Sequence, residues 1–171
     1  MEATPVNPSL GNQFAQVAWV VRDIQAAETF FRNTLGLSAF VRLENQRAED
    51  LNGMYYGQPG DFVFHLSLAY SGDTMLELIQ PVSGQSTFQD FLEKHPEGGI
   101  QHIAYAVPEA DLDKAAAELT SKGFSVIQSM SLPTAKVLFF DTKKDIGVDT
   151  ELIGVTEAGA AFAQQLKSGN V

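Results

Sequence analysis

The sequence contains an internal repeat with a spacing of 86 residues, and this repeat constrains the fold more than any other feature. The apolar segments FAQVAWVV (14–21) and IQHIAYAV (100–107) align so that Gln16 falls on His102. The tripeptide Glu-Leu-Ile follows once in each copy, at 77–79 and at 151–153. Self-similarity at a fixed spacing indicates a duplicated unit of supersecondary structure.

Each copy has the same predicted order of elements, one strand, one helix and three further strands. The helices are predicted from apolar residues at helical spacing, and they end at Gly36 and Gly123, where a left-handed C-cap residue is favoured. Runs rich in β-branched and aromatic residues predict the later strands. These are 38–43, 62–70 and 74–80 in the first copy and 124–129, 136–141 and 148–153 in the second. We therefore expect an α+β fold made of two βαβββ modules.

The expected organisation places these modules at 14–81 and 100–155. An N-terminal tail (1–13) precedes them, a linker (82–99) with a short helix near 87–94 joins them, and a tail with a weak helical pattern (156–171) follows. The polar, glycine-containing stretch 44–60 is expected to be a loop inserted in the first module. Such a loop would be either a lid over an apolar substrate or a dimer contact.

Composition excludes several classes of protein. The chain has 11 Lys and Arg against 21 Asp and Glu, a formal charge of −10, which argues against a nucleic-acid partner. It has no cysteine, so that His and oxygen ligands must hold any metal. No apolar run approaches the roughly 20 residues of a membrane span. The N-terminal residues lack a signal-peptide pattern, and we expect a cytoplasmic protein.

Four polar residues interrupt apolar strands at matched positions of the two copies. Gln16 and His102 lie in the first strands, and Glu77 and Glu151 lie in the last strands. A carboxylate in a buried strand costs several kcal/mol unless it is paired or binds a metal. If the modules pack about a pseudo-two-fold axis, the four side chains converge on one centre. They would bind a divalent ion such as Zn, Ni, Co or Mn, or else form a buried hydrogen-bonded cluster.

The alternation of side chains along a strand predicts which residues face this centre. Small residues such as Ala18 and Ala104 share the faces of Gln16 and His102, which leaves space for a substrate, whereas Trp19 and Tyr105 should pack under the helices. His65 shares a strand face with Ser67 and Ala69. Two predictions are possible for it, a cavity-facing residue that contacts the substrate or a half-exposed strand residue. Lys143-Lys144-Asp145 is expected to be a solvated turn.

The duplicated pattern, with the strands QVAWVVRD, QHIAYAV and the two ELI strands, resembles the vicinal oxygen chelate (glyoxalase I) superfamily over residues 14–154. The resemblance implies a cupped, mixed β-sheet and a metal held by Gln16, Glu77, His102 and Glu151. This ligand set is similar to that of eukaryotic-type glyoxalase I, whereas the segment Gly99–Val107 and the strand ending in Glu151 are closer to methylmalonyl-CoA epimerase. A homodimer is expected from the habit of the superfamily.

The function that this resemblance implies is that of a metal-dependent lyase or isomerase. One divalent ion would polarise a substrate carbonyl and stabilise an enediolate or enolate, while Glu151, or secondarily Glu77, would move the adjacent proton. Two alternatives remain. One is a metal-free protein that sequesters a small molecule on the same fold, and the other is an Fe(II) dioxygenase with an altered ligand triad.

Overall fold

The computed structural model describes residues 10–170, so that residues 1–9 of the expected N-terminal tail and residue 171 lie outside the described part. The strands are β1 (Phe14–Val20), β2 (Val41–Arg47), β3 (Met54–Tyr55), β4 (Gln58–Pro59), β5 (Val63–Ser71), β6 (Thr74–Ser83), β7 (Gly99–Pro108), β8 (Val126–Ser131), β9 (Ala135–Phe140) and β10 (Asp149–Val155). The helices are α1 (Ile24–Leu35), α2 (Thr87–Lys94), α3 (Leu112–Ser121), α4 (Lys143–Ile146) and α5 (Glu157–Ser168), and short 3₁₀ turns cover Leu10–Gln13, Ala48–Leu51 and Glu109–Asp111.

The strands form one mixed sheet in the order β2-β5-β6-β1-β7-β10-β9-β8-β3-β4. Its centre is the antiparallel pair β1 and β7, in which Val17 lies opposite Ile103. Each central strand has a parallel neighbour on its other side, β6 beside β1 and β10 beside β7. The two halves are therefore related by a pseudo-two-fold axis through the central pair, and the predicted α+β fold with two βαβββ modules is confirmed.

Helices α1 and α3 cover the outer face of the sheet. Asp23 caps α1 by accepting a hydrogen bond from the Ala26 N–H, and Gly36 ends it in the left-handed conformation at φ 74°. The ring of Trp19 lies 5.6 Å from that of Phe31 on α1, while Tyr105 packs into the cluster around Leu112 on α3. The alternation of side chains predicted for β1 and β7 thus holds.

The stretch 44–60 is not the loop that its composition suggests. Strand β2 continues through it to Arg47, and the β3–β4 hairpin pairs with β8 of the second half, Met54 opposite Ser129 and Tyr55 opposite Gln128. The segment extends the sheet because backbone groups at the edge of β8 provide pairing partners that a local reading of glycines and prolines does not reveal. The expected strand at 38–43 correspondingly lies at 41–47.

The concave side of the sheet holds the main apolar core. Phe64 and Phe139 contribute from the strands, and Phe88 contributes from α2. Helix α5 lies over the same side and buries Leu166 in this core. The helical pattern expected in the C-terminal tail is therefore realised in an element that covers the inside of the cupped sheet.

Within residues 10–170, the helices are too short and too polar to cross a membrane.

Candidate metal centre

Four side chains from the four central strands meet at one point on the concave side of the sheet. The Nε2 atom of His102 lies 3.1 Å from Oε2 of Glu77 and 3.2 Å from Oε2 of Glu151. The Nε2 atom of Gln16 lies 3.0 Å from the same oxygen of Glu77, 3.2 Å from that of Glu151 and 3.4 Å from the His102 ring nitrogen. All four residues are buried. The convergence expected from the repeat is thus present in the structure.

Strand register explains why these residues meet. Gln16 lies opposite Ala104 and His102 lies opposite Ala18 in the antiparallel pair, so the two polar side chains occupy diagonal positions on one face. In the parallel pairs, Glu77 lies beside Ala18 and Glu151 lies beside Ala104. The two alanines leave the space into which the longer side chains extend.

The protonation of His102 depends on the two glutamates beside it. Burial alone lowers the pKa of His102, but the charge of Glu151 and hydrogen bonds to Glu151 and Glu77 raise it to about 9. Burial raises the pKa of Glu151, a shift that His102 opposes and Glu77 reinforces. The raised pKa of His102 therefore favours a protonated imidazole at neutral pH when no metal is bound, in ion-pair contact with Glu77 and Glu151.

The donor set fits a divalent cation. One ligand atom from each of Glu77, His102 and Glu151 lies within 4.8 Å of the others. In the described residues the ion pairs of both carboxylates are with His102, which carries at most one positive charge. The Gln16 amide contributes an oxygen once its side-chain amide is turned over. Two carboxylates, one imidazole and one amide are ligands for Zn, Ni, Co or Mn.

The centre opens into a cavity of about 230 Å³. Gln16, Glu77 and Glu151 are among its lining residues, and they are the groups of the centre that a bound molecule would meet. Its remaining walls are largely apolar, with Leu66, Leu68, Phe88 and Phe139 among them. Phe162 and Ala163 of α5 also line it, so this helix limits the space on the concave side.

His65 does not line this cavity and is a half-exposed residue of β5, the second of the two alternatives considered from the sequence. Phe64, Leu66 and Leu68 face the cavity, and His65 alternates with them on β5. Its Nδ1 accepts a hydrogen bond from the Asn45 N–H at 3.0 Å. The small residue Ser67 on the same face contacts Glu28 of α1, so that small size here reflects helix packing and not a binding site.

Three residues near the centre were missed by the sequence reasoning. The Nδ1 atom of His102 lies 2.6 Å from Oε1 of Gln101, whose Nε2 donates to Oδ2 of Asp149 at 2.8 Å. Lys143 binds the other oxygen of Asp149 at 2.5 Å. The solvated turn predicted at 143–145 is the exposed one-turn helix α4, from which Lys143 also makes this ion pair.

A family model for the glyoxalase/bleomycin resistance protein/dioxygenase superfamily matches residues 15–139. The chain belongs to this superfamily, and the resemblance drawn from the repeated strands is confirmed.

Proteins named as epimerases are among the individual relatives. An ethylmalonyl-CoA/methylmalonyl-CoA epimerase of Cereibacter sphaeroides is 32% identical over 143 residues, which cover 80% of this chain and 92% of that protein. The crystal structure of methylmalonyl-CoA epimerase from Mycobacterium tuberculosis matches with a TM-score of 0.60 at 24% identity, over 94% of this chain and 97% of that one. A Streptomyces coelicolor methylmalonyl-CoA epimerase in complex with 2-nitronate-propionyl-CoA matches with a TM-score of 0.56 at 23% identity, over 82% and 95%.

Proposed function

We propose that this protein is a metal-dependent isomerase that epimerises a carbon next to a carbonyl group. The observation that carries the proposal is the placement of two buried carboxylates, Glu77 and Glu151, in the lining of a largely apolar cavity and within ion-pair distance of His102. A binding protein for an apolar molecule gains nothing from two buried carboxylates, since their burial is costly. The likeness to an epimerase supports the same choice.

Gln16, Glu77, His102 and Glu151 would hold the metal. A bound divalent ion supplies a Lewis acid that polarises the carbonyl oxygen and makes the neighbouring C–H bond more acidic. His102 is fully buried behind the other three residues and does not line the cavity, so we assign it only a ligand role.

The proton transfer is assigned to the carboxylates. Epimerisation removes a proton from one face of a carbon atom and returns a proton to the opposite face. Glu151 on β10 and Glu77 on β6 are related by the pseudo-two-fold axis, and both line the cavity. We assign removal of the proton to Glu151 first, with Glu77 as the second base and the donor on the other face.

The cavity limits the substrate to a compact molecule. Its volume of about 230 Å³ lies below the usual range of about 300–1,000 Å³ for drug-sized ligands. Apart from the centre, its walls favour a short aliphatic group. A 2-alkyl acyl thioester, with its carrier outside the cavity, has the carbonyl, the acidic C–H and the small apolar substituent that the site requires. Ethylmalonyl-CoA and methylmalonyl-CoA, after which the Cereibacter relative is named, belong to this class.

Incorporation of solvent deuterium tests the proposal directly. The zinc- or cobalt-loaded protein is incubated with methylmalonyl-CoA in D₂O, and exchange at the 2-position is followed by NMR. We expect exchange with the wild type and a loss of about 10²-fold or more with Glu151→Gln. Glu28→Gln, which removes a buried carboxylate on the outer face of the sheet, is the matched control.

Two results would overturn specific parts of the proposal. Full exchange by Glu151→Gln would show that Glu151 is not the base. No exchange by the metal-loaded wild type, with this thioester or with a panel of 2-oxoaldehyde–thiol adducts, would exclude the isomerase and favour a sequestering protein.

A further inference from the structure

Gln101 and Asp149 form a polar pair directly behind the His102 ring, on the side away from the cavity. Gln101, His102 and Asp149 are all at most 2% exposed. The contacts join Nδ1 of His102 to Oε1 of Gln101 at 2.6 Å and Nε2 of Gln101 to Oδ2 of Asp149 at 2.8 Å. We propose that Gln101 and Asp149 are positioning residues that hold the His102 ring with its Nε2 lone pair directed at the metal. This inference rests on the metal centre of the proposed function.

The direction of each hydrogen bond follows from what each group can donate. Lys143 occupies Oδ1 of Asp149, and the carboxylate accepts at both oxygens. Gln101 must therefore present its amide N–H groups to Asp149 and its amide oxygen to His102. A carbonyl oxygen only accepts, so Nδ1 of His102 carries the hydrogen. The neutral ring then has its lone pair on Nε2, which is the atom that faces Glu77 and Glu151.

The polar pair is present in only one of the two repeats. Asp149 stands two residues before Glu151, and Met75 stands at the matched position before Glu77. Gln101 precedes His102, and Ala15 precedes Gln16. Ala15 and Met75 both line the cavity. The polar pair thus occurs only in the half whose ligand is an imidazole, the ligand that has a tautomer to be set.

Zinc affinity, measured by competition with a chromophoric chelator, tests the inference without any substrate. Gln101→Met keeps the length of the side chain but removes the acceptor, and we expect it to weaken zinc binding by about 10- to 100-fold. The double exchange Gln101→Glu with Asp149→Asn keeps an acceptor at position 101 for the Nδ1–H of His102. In the hydrogen bond between positions 101 and 149, however, the side chain at 149 becomes the donor and the side chain at 101 becomes the acceptor. We expect it to bind zinc within a few-fold of the wild type, while Asp149→Asn alone binds more weakly.

The matched control is Gln128→Met. Gln128 is as buried as Gln101, but its side-chain oxygen accepts from the Thr87 N–H at 2.9 Å and does not contact the centre. A general effect of removing a buried glutamine would weaken zinc binding in both variants. Unchanged affinity in Gln128→Met therefore assigns the effect to the contact with His102.

A spectroscopic readout separates positioning from a loss of structure. The chain has three histidines, so ¹⁵N-labelled imidazoles are readily assigned in the zinc-loaded protein. We expect the Nδ1–H of His102 to be protected from solvent exchange in the wild type and in the double exchange. The protection should be lost in Gln101→Met.

The outcomes distinguish this inference from the proposed function. If the wild type binds zinc and Gln101→Met binds it equally tightly with the same Nδ1–H protection, the positioning role is wrong while the metal centre stands. If the wild type takes up no zinc, nickel, cobalt or manganese, the metal-dependent function fails and this inference fails with it. Should Gln101→Met not fold, the affinity of Asp149→Asn against that of the double exchange decides the question in the same way.

Discussion

Gln16 and His102 lie diagonally across the antiparallel junction of β1 and β7, and their Nε2 atoms are 3.4 Å apart although 86 residues separate them along the chain. The pseudo-two-fold axis passes between them, beside Val17 and Ile103. The strand parallel to β1, which is β6, supplies Glu77, and the strand parallel to β7, which is β10, supplies Glu151. Duplication of one module has thus produced a single centre that neither module contains alone.

Metal content should depend on both glutamates. We expect about one divalent ion per chain in protein purified without chelator, and its loss in Glu151→Gln and Glu77→Gln, because each substitution removes an anionic ligand. Elemental analysis measures this. Glu28→Gln should keep its metal, since Glu28 lies under α1 and pairs with Arg42. Full metal content in Glu151→Gln would remove Glu151 from the ligand set.

Zinc uptake should release a proton at neutral pH. The pKa of His102 is raised to about 9 in the metal-free protein, so the ring is protonated at pH 7 and must lose a proton to become a ligand. His102 should contribute about one proton per zinc at pH 7, and this contribution should disappear as the pH rises through 9. Isothermal titration calorimetry in buffers of different ionisation enthalpy gives the number of protons. Heats that are independent of the buffer at pH 7 would contradict this prediction.

Gly159→Ala should destabilise the protein, although alanine favours helices. Helix propensity alone predicts a gain of about 1 kcal/mol. A Cβ atom at position 159, however, would overlap the backbone oxygen of Thr134, which also accepts a hydrogen bond from the Thr156 hydroxyl at the start of α5. We expect a net loss of about 1–3 kcal/mol, because α5 must move off this contact.

Urea unfolding measures the change for Gly159→Ala. The control is Ala161→Gly on the exposed side of α5, which should cost about 1 kcal/mol from propensity alone. A gain in stability for Gly159→Ala would show that α5 is not held where it limits the cavity.

Glu28→Gln should reduce stability in a pH-dependent way. Burial alone would raise the pKa of Glu28, but hydrogen bonds from Arg42 and Ser67 and the charges of Arg42 and Arg32 lower it below the usual value. A lowered folded-state pKa stabilises the protein above the unfolded-state pKa and loses this effect as the pH falls through the folded value. We expect a loss of about 2 kcal/mol at pH 7.

The difference between wild type and Glu28→Gln should shrink in urea titrations as the pH falls below about 4. Glu44→Gln, at a residue whose side chain is 58% exposed, should change stability little at any pH. A difference between wild type and Glu28→Gln that stays constant down to the lowest pH would show that loss of the carboxylate charge is not its cause.

His65 and Gln101 are two residues whose surroundings in the fold were not predicted from the sequence. The neighbours Ser67 and Ala69 made His65 look cavity-facing, because small residues leave room for a ligand. Small residues also allow a helix to approach a sheet, and Ser67 in fact contacts Glu28 of α1. Gln101 gave one signal that was not used, since it is a second polar residue inside an apolar strand, directly before His102.

The sequence alone determined the duplicated modules, the outer packing of Trp19 and Tyr105, and the four polar residues that meet at the centre. It could do so because the repeat and the alternation of side chains are local patterns that persist in the folded chain. Only the tertiary structure decided that residues 54–59 extend the far edge of the sheet, that α5 covers the cavity, and that Asp149 and Lys143 lie behind His102. These depend on contacts between segments distant in the chain, and hydrophobic periodicity carries no information about which segments will meet.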